Sequence, residues 1–173
     1  RDYLKSGFLD RAEQIFKKLS FEIDNPVVVC LHLKEIYEQE KEWKKAIDIS
    51  ERIQSISNED LSDTISHYYC ELAENEIILS TEENLNEAKK YINKALNYNK
   101  KSVRALILLG DVSFQNKKFN EALKRYIGIF DSYPDFSYLV LEKLKITYEK
   151  LGTNENFFTF IKSLSSIRNP MEL

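Results

Sequence analysis

Two stretches of the chain place apolar and polar residues in the same order. In "YLKSGFLDRAEQIF" and "YEQEKEWKKAIDIS" a tyrosine is followed nine residues later by an alanine. These alanines, Ala12 and Ala46, are 34 residues apart, and Ala88 and Ala122 in "NEAKKYI" and "NEALKRYIGIF" repeat the spacing. Self-similarity at a fixed period indicates stacked copies of one supersecondary unit.

A 34-residue period with a tyrosine, a small residue and an aromatic residue four positions later is typical of tetratricopeptide helix hairpins. The second (B) helix of such a hairpin crosses the first (A) helix where only a small side chain fits. The sequence therefore predicts an all-α tetratricopeptide-repeat (TPR) solenoid of about five hairpins, the first incomplete, in a single array over 1–173. The predicted hairpins are 1–24 (with its B helix at 8–19), 26–58, 60–99, 102–133 and 136–168.

The rare proline and glycine residues follow the same frame. All three prolines fall at junctions between hairpins, where a helix has to end: Pro26, Pro134 and Pro170. Gly7 and Gly152 occupy the same point of the turn inside their hairpins, and Gly110 takes a small-residue position of an A helix. Gly128 lies in the middle of a predicted helix, at a cost of roughly 1 kcal/mol, and the repeat gives no reason for it.

The third hairpin is longer than the others. Its Leu72-Ala73 corresponds to Leu33-Lys34 of the second hairpin, a spacing of 39 residues. About three further residues enter the segment "STEENLNE" between its two helices. Because surface loops tolerate added length at little cost, we expect a loop insertion there.

Composition excludes several classes of protein. Hydrophobic residues make up 43% and charged residues 31% of the chain, as in ordinary globular proteins. A net charge of −3 gives no basic footprint for nucleic acid. No apolar run approaches the roughly 18 residues of a membrane span. Two cysteines do not form a disulfide framework and favour a reducing compartment.

Two cysteines and two histidines raise the question of a metal or thiol site. Cys30 and His32 are two residues apart, which places them on different faces of a helix, so a zinc site that also includes His67 and Cys70 is disfavoured. The acidic neighbours of Cys70 are expected to raise the pKa of its thiol, whereas a cysteine nucleophile needs a lowered pKa, so Cys70 is not expected to be a nucleophile. No catalytic, cofactor or metal residue is assigned, and no enzyme activity is expected. A metal-dependent enzyme stays open as an alternative, and it would require all four residues to lie close together in the fold.

The A helices are expected to line a concave groove that binds protein segments. This lining is acidic with apolar patches and a single arginine, so it favours a basic or apolar partner and lacks the Lys and Asn that clamp acidic peptide tails. The predicted protein-binding residues are Leu31, Glu35, Glu38, His67, Cys70, Glu74, Arg104, Ile107, Asp111, Phe114, Glu142 and Glu149, with Leu139 and Ile146 beside them.

Beyond the generic repeat, four stretches resemble one family in that family's order. "RDYLKSGFLDRAEQIF", "EWKKAIDISERI", "ISHYYCELA" and "LEKLKITYEKLG" are similar to the central repeats of the bacterial lipopolysaccharide assembly protein B family (LapB, also YciM). The most specific piece is "HYYCELA", residues 67–73, which the TPR pattern does not require.

This resemblance implies a non-catalytic adaptor in Gram-negative bacteria. Members of that family promote proteolysis of LpxC, an enzyme of lipid A synthesis, by the protease FtsH, and so regulate lipopolysaccharide synthesis. They lie on the cytoplasmic face of the inner membrane through an N-terminal anchor, and carry a rubredoxin-like metal domain at the C-terminus. This chain has neither the anchor nor paired Cys-x-x-Cys knuckles, which fits an excised middle region. The alternative is an unrelated TPR scaffold or co-chaperone that binds a basic or apolar peptide in its concave groove.

The incomplete first hairpin carries one more expectation. Its B helix lacks most of its A helix partner, so an apolar stripe with Leu9, Ile15 and Phe16 is expected to be partly uncovered. Self-association through this end follows from that exposure.

Overall fold

The chain folds into α-helices joined by short turns. The computed structural model describes residues 26–168 together with Arg11 and Gln14, with side chains as far as residue 162. No strand occurs in this part, and the predicted all-α fold of TPR-type hairpins is confirmed. The helices are α1 Pro26–Gln39, α2 Trp43–Ser57, α3 Ser62–Leu79, α4 Glu82–Tyr98, α5 Val103–Gln115, α6 Phe119–Ser132, a 3₁₀ segment Pro134–Val140, α7 Leu141–Lys150 and α8 Asn154–Arg168.

Some expectations fall on residues outside this part. They concern the first hairpin with its apolar stripe, Gly7 and Pro170, so self-association through the first B helix stays a prediction. The division into hairpins and the single array also stay predictions.

The chain divides into two compact units. The first comprises Arg1–Asn75 and Lys90–Ser102, and the second comprises Glu76–Lys89 and Val103–Leu173. In the first unit α1 packs against α2; in the second, α5 packs against α6, α6 against α7, and α7 against α8. The first core is formed by Val29, Cys30, Leu33, Ile36, Tyr37, Ala46, Ile47, Ile49, Ile53, Ile65 and Tyr68. The second core is formed by Ile107, Ala122, Tyr126, Ile129, Val140, Leu144 and Tyr148.

The alanines that define the repeat are buried. Ala46, Ala88 and Ala122 each have 0% of their surface exposed. They lie on the packed faces of α2, α4 and α6 respectively. Because the interior is close-packed, a larger side chain at any of them would overpack the helix contact.

Three of the hairpin turns share one backbone geometry. Lys41, Lys117 and Gly152 have φ of 57°, 59° and 69°, the left-handed region in which helices often end. The residue after each one closes the helix with a hydrogen bond from its N–H to a carbonyl five residues back. These bonds join Glu42 to Tyr37 (2.9 Å), Lys118 to Ser113 (2.9 Å) and Thr153 to Tyr148 (3.0 Å). The predicted turn role of Gly152 therefore agrees with its conformation.

The loop insertion predicted in the third hairpin is wrong. Its extra residues are helical: α3 has 18 residues against 14 in α1, and the turn to α4 is only Ser80 and Thr81. Thr81 caps α4 by accepting a hydrogen bond from the N–H of Asn84 at 3.2 Å. The stretch Glu76–Leu79 contains no glycine or proline to end α3, so adding a helical turn keeps its backbone hydrogen bonds satisfied.

The last hairpin starts differently from its predicted A helix. Pro134 opens a 3₁₀ segment, and the α-helical geometry begins only at Leu141. Phe136, Tyr138 and Leu139 in this segment are 44%, 69% and 44% exposed. The periodicity of the repeat does not distinguish a 3₁₀ start from an α-helical one, since both present a similar apolar stripe.

Candidate functional site

The twelve residues predicted to bind protein lie on α1, α3, α5 and α7, as the repeat frame requires. Cys70 and Ile107 are buried, at 0% and 8% exposure, so they contribute to helix packing in this structure. The other ten are partly or fully exposed: Leu31, Glu35, Glu38, His67, Glu74, Arg104, Asp111, Phe114, Glu142 and Glu149. Their role in binding stays a prediction.

In the first unit, Glu38 lies within a polar cluster. It accepts hydrogen bonds from the hydroxyl of Tyr68 and, at 3.2 Å, from Nζ of Lys34. Burial and the neighbouring Glu38 raise the pKa of Tyr68 above its usual range, and the Tyr68 ring stacks on Trp43 with centroids 5.7 Å apart. The Glu38 carboxylate is therefore hydrogen-bonded within the first unit, and its charge is paired with Lys34.

The residues considered for a metal site do not form one in the described part of the chain. Cys30 and Cys70 are both buried, and neither forms a disulfide in the described part of the chain. His32 lies 3.4 Å from a carboxylate oxygen of Glu35, and His67 lies 3.6 Å from one of Glu71. Among described residues, no group of three or more His, Cys, Asp or Glu side chains is arranged to hold a metal ion.

The second unit contains a cavity on the side of its A helices. Its volume is about 260 Å³, close to the lower limit of pockets that hold small ligands or anchoring side chains. It includes two predicted residues, Asp111 and Phe114, and their neighbour Ile146. The complete lining is Ile77, Asp111, Phe114, Gln115, Tyr126, Lys143 and Ile146.

A hydrogen-bonded triad forms the polar wall of this cavity. The Tyr126 hydroxyl and Lys143 Nζ each donate to Oδ1 of Asp111, both at 2.7 Å. Burial, followed by the charge of Asp111, raises the pKa of Tyr126 well above its usual range, so the phenol stays a donor. The Asp111 side chain is only 16% exposed, and Lys143 compensates its charge.

Gly110 places this triad. It precedes Asp111 on α5, and a Cβ added there would lie 2.8 Å from Cδ1 and 2.9 Å from Cζ of Tyr126. The absence of a side chain therefore lets the Tyr126 ring lie against α5 with its hydroxyl at Asp111. The predicted small-residue position has a direct role in the geometry of the cavity.

The remaining walls of the cavity are apolar. Phe114 is half-buried and contacts Phe119 edge to face, with ring centroids 5.3 Å apart. Ile146 is 37% exposed at the rim, and the buried Ile77 is also part of the lining. The site can thus hold an apolar side chain beside the Lys143 ammonium group, which has further N–H donors besides the one bonded to Asp111.

The repeat pattern does not single out four residues of this cavity: Lys143, Tyr126, Gln115 and Ile77. Lys143 is 32 residues from Asp111, about one repeat, so it falls on the neighbouring A helix of the frame. That spacing was the available signal for the ion pair. The predicted acidic character is not found at this cavity, because its one carboxylate pairs with Lys143.

The described helices give no membrane span. None of them combines the length and the hydropathy needed to cross a bilayer.

Comparison with known proteins supports the resemblance found in the sequence. No family model matches the chain. It is 29% identical over 162 residues, 94% of its length, to lipopolysaccharide assembly protein B of Escherichia coli K12. It is 30% identical over 173 residues to the protein of that name from Haemophilus influenzae. The predicted similarity is confirmed, and the chain spans 41% and 43% of the lengths of these relatives.

Among solved structures, a tetratricopeptide repeat protein from Parabacteroides merdae is 16% identical with a TM-score of 0.44. The alignment covers 94% of this chain and 60% of that chain.

Proposed function

We propose that this chain is a protein-binding scaffold of lipopolysaccharide assembly that carries out no chemistry itself. The similarity to lipopolysaccharide assembly protein B over nearly the whole chain supports the pathway. The observation that carries the binding role is the 260 Å³ cavity, with its apolar walls and the Lys143–Asp111–Tyr126 triad. A partner segment would place an apolar side chain against Phe114 and Ile146 and a hydrogen-bond acceptor at Lys143.

The finer proposal rests on the resemblance stated from the sequence. The full-length protein would act at the cytoplasmic face of the inner membrane and promote degradation of LpxC by FtsH. In that role the chain would bind the protease or its substrate and bring the two together.

A binding measurement with purified proteins tests the cavity. Ile146→Glu places a carboxylate at its rim, where binding would desolvate it beside an apolar partner. We expect the affinity for LpxC or for FtsH, measured by calorimetry, to fall about tenfold or more, the equivalent of about 1.4 kcal/mol. Leu141→Glu is the matched control, since Leu141 is on the same helix with similar exposure, 41% against 37%, and does not line the cavity.

A cellular measurement tests the pathway. The lifetime of LpxC is followed in the source bacterium after depletion of the full-length protein, and again after its restoration. We expect LpxC to persist on depletion, and the Ile146→Glu protein to restore turnover less well than the Leu141→Glu protein. Unchanged LpxC turnover would remove the proposed pathway, and equal restoration by both variants would remove the cavity.

A second candidate is an unrelated TPR scaffold or co-chaperone. The apolar walls and the compensated charge of Asp111 favour an apolar over a basic ligand at the described cavity. Loss of binding to apolar peptides in Ile146→Glu, together with unchanged LpxC turnover, would support this alternative.

A further inference from the structure

The last turn of α3 carries exposed apolar side chains. This turn, residues 76–79, belongs to the second unit and ends a helix that has 18 residues against 14 in α1. Ile77 is buried and lines the apolar-walled cavity of that unit, but the next two side chains lie in solvent. Ile78 is 77% and Leu79 is 62% exposed, and among the described residues no large apolar side chain is more exposed than Ile78. Ile78 and Leu79 are called the α3 tip.

Helix packing does not account for the α3 tip. Two other A helices, α1 and α5, end in polar stretches, with the sequences QEK at 39–41 and QNK at 115–117. Isoleucine also forms helices less well than Glu, Lys or Gln, so an exposed helix end gains no stability from it. Adjacent apolar side chains that remain in water without stabilising the fold indicate an interaction surface.

Hydrogen bonds hold this end of α3 against the start of α4. Nδ2 of Asn84 on α4 donates to Oε2 of Glu76 on α3. The Ser80 hydroxyl donates to the Ile77 carbonyl at 2.7 Å, and Thr81 Oγ1 accepts from the N–H of Asn84 at 3.2 Å. The backbone that carries the α3 tip is therefore positioned before a partner binds. A preorganised surface of this kind loses less conformational entropy on association.

The segment around the α3 tip is acidic. Residues 76–88 contain four glutamates and no lysine or arginine. Two of these glutamates, Glu82 and Glu83, are exposed in the first turn of α4. Lys89 and Lys118 lie in one surface depression with Glu82 and offset part of this charge, which still leaves a negative excess. An apolar surface with a negative surround is complementary to a segment that is apolar and basic.

The same charges disfavour two other occupants of this surface. A second copy of the chain would bring an identical set of glutamates against them, and like charges oppose association. A bilayer that contains anionic lipids would repel the glutamates as well, because its surface potential is negative. A basic protein segment is attracted instead.

We propose that the α3 tip is a docking site for a basic amphipathic helix of a partner protein. Because the described residues offer helix surfaces and no sheet edge, the partner binds as a helix with one apolar face. That face covers Ile78 and Leu79, and its lysine or arginine side chains lie towards Glu76 and Glu83. This inference rests on the proposed protein-binding function and names the chemistry of the partner segment.

Calorimetry with synthetic helical peptides and the purified chain tests the chemistry of the partner. The probe is an amphipathic helix composed of leucine and lysine. Two matched peptides replace either all of its lysines by glutamate or all of its leucines by serine. We expect saturable binding of the leucine–lysine peptide, and binding of the other two that is weaker by about tenfold or more. The affinity of the leucine–lysine peptide should fall as salt is added, because exposed charges are screened.

Variants of the chain locate the binding surface. Ile78→Ser combined with Leu79→Ser should weaken binding of the leucine–lysine peptide about tenfold or more, and Glu83→Lys should weaken it and reduce its salt dependence. Ile56→Ser is the matched apolar control, since Ile56 is an isoleucine on α2 that is 44% exposed. Glu59→Lys is the charge control, at an exposed glutamate in the turn after α2. Both controls should leave the affinity unchanged, and circular dichroism checks that these surface substitutions keep the fold.

Several results would overturn the proposal. Absence of saturable binding of the leucine–lysine peptide, or equal binding of the leucine–glutamate peptide, would remove the basic partner. Equal weakening by the α3 tip variant and by its Ile56→Ser control would place the peptide elsewhere. Light scattering that shows association abolished by the α3 tip variant would identify a second copy as the occupant. Binding to phosphatidylcholine vesicles, lost in the same variant, would identify a lipid surface.

This test can fail independently of the proposed function, which is tested by Ile146→Glu. Loss of LpxC or FtsH binding in Ile146→Glu, together with no binding of the leucine–lysine peptide, would remove the docking site and leave the proposed function in place. Peptide binding that depends on the α3 tip, with Ile146→Glu binding LpxC and FtsH like the wild type, would support the docking site and remove the cavity.

Discussion

Replacing Gly110 by alanine tests how closely α5 and α6 approach at the cavity lined by Asp111 and Tyr126. The added carbon would lie 2.8 Å from Cδ1 of Tyr126, whose ring is 1% exposed and whose hydroxyl is bonded to Asp111. The ring therefore has little room to retreat. Gly128 on α6 provides the matched position, since no heavy atom lies within 4 Å of a carbon added there.

The expected magnitudes follow from these surroundings. Alanine is favoured over glycine inside a helix by about 0.5–1 kcal/mol, so Gly128→Ala should raise the free energy of unfolding by that amount. At Gly110 the same gain is opposed by overpacking of roughly 1–3 kcal/mol. Displacing Tyr126 also weakens its hydrogen bond to Asp111, which costs about 1–3 kcal/mol when a buried group loses its partner. We expect Gly110→Ala to lose about 1–5 kcal/mol in total.

Urea unfolding of the wild type and both variants measures these changes, provided that the m values agree. Repeating Gly110→Ala in a Tyr126→Leu background removes the ring that causes the clash. In that background the substitution should become neutral or stabilising, and the two changes should couple by at least about 1 kcal/mol. Gly110→Ala that is as stable as the wild type, or additive with Tyr126→Leu, would refute the close-contact explanation.

Three further predictions address the ion pair, a turn and a tyrosine. Lys143→Met should destabilise the fold by about 1–3 kcal/mol, because it leaves the largely buried Asp111 carboxylate without its cation; urea unfolding measures the loss. Lys117→Gly should stabilise by up to about 1 kcal/mol, because glycine adopts positive φ without strain, and thermal unfolding at fixed pH measures the gain. A hydrogen bond to a carboxylate raises the pKa of Tyr98 to about 12. This contribution to stability is complete below the unfolded pKa of about 10 and is lost between about pH 10 and 12. Tyr98→Phe should therefore flatten the loss of stability in that range.

Each of these predictions has a contrasting result. Lys145→Met changes an exposed lysine two residues away, 4.0 Å from Glu142, and should alter stability by less than about 0.5 kcal/mol. An equal decrease in the free energy of unfolding in Lys143→Met and Lys145→Met would mean that the triad does not stabilise the fold beyond an exposed ion pair. Destabilisation by Lys117→Gly would show that the lysine side chain outweighs backbone strain. An alkaline stability profile unchanged in Tyr98→Phe would show that the tyrosine does not carry that pH dependence.

The fold can be predicted from the sequence where helix packing requires a small residue at a fixed spacing. An alanine must recur wherever a B helix crosses its A helix, so Ala46, Ala88 and Ala122 could be located by their spacing and are all fully buried. Gly110 is predicted from the same requirement, as a small-residue position of an A helix. Whether a segment bends or continues as a helix is a weaker signal, since it depends on a few terminal hydrogen bonds. The stretch "STEENLNE" is predicted to be an enlarged loop, although Thr81 followed by Glu82 and Glu83 is itself a helix start signal.

The candidate site was predictable only in part, because its chemistry depends on pairs from different helices. Repeat periodicity predicts that Asp111 and Phe114 lie on the groove face of an A helix, but it treats every carboxylate there as a solvated charge. Asp111 is instead shielded and compensated by Lys143, and the same frame gave no way to weigh that pairing against solvation. The net charge of a groove therefore does not follow from summing the charges of its A helices. At this cavity the pairing changes the expected ligand from a basic segment to an apolar one, which is why Ile146→Glu tests the site more directly than reversal of the acidic residues.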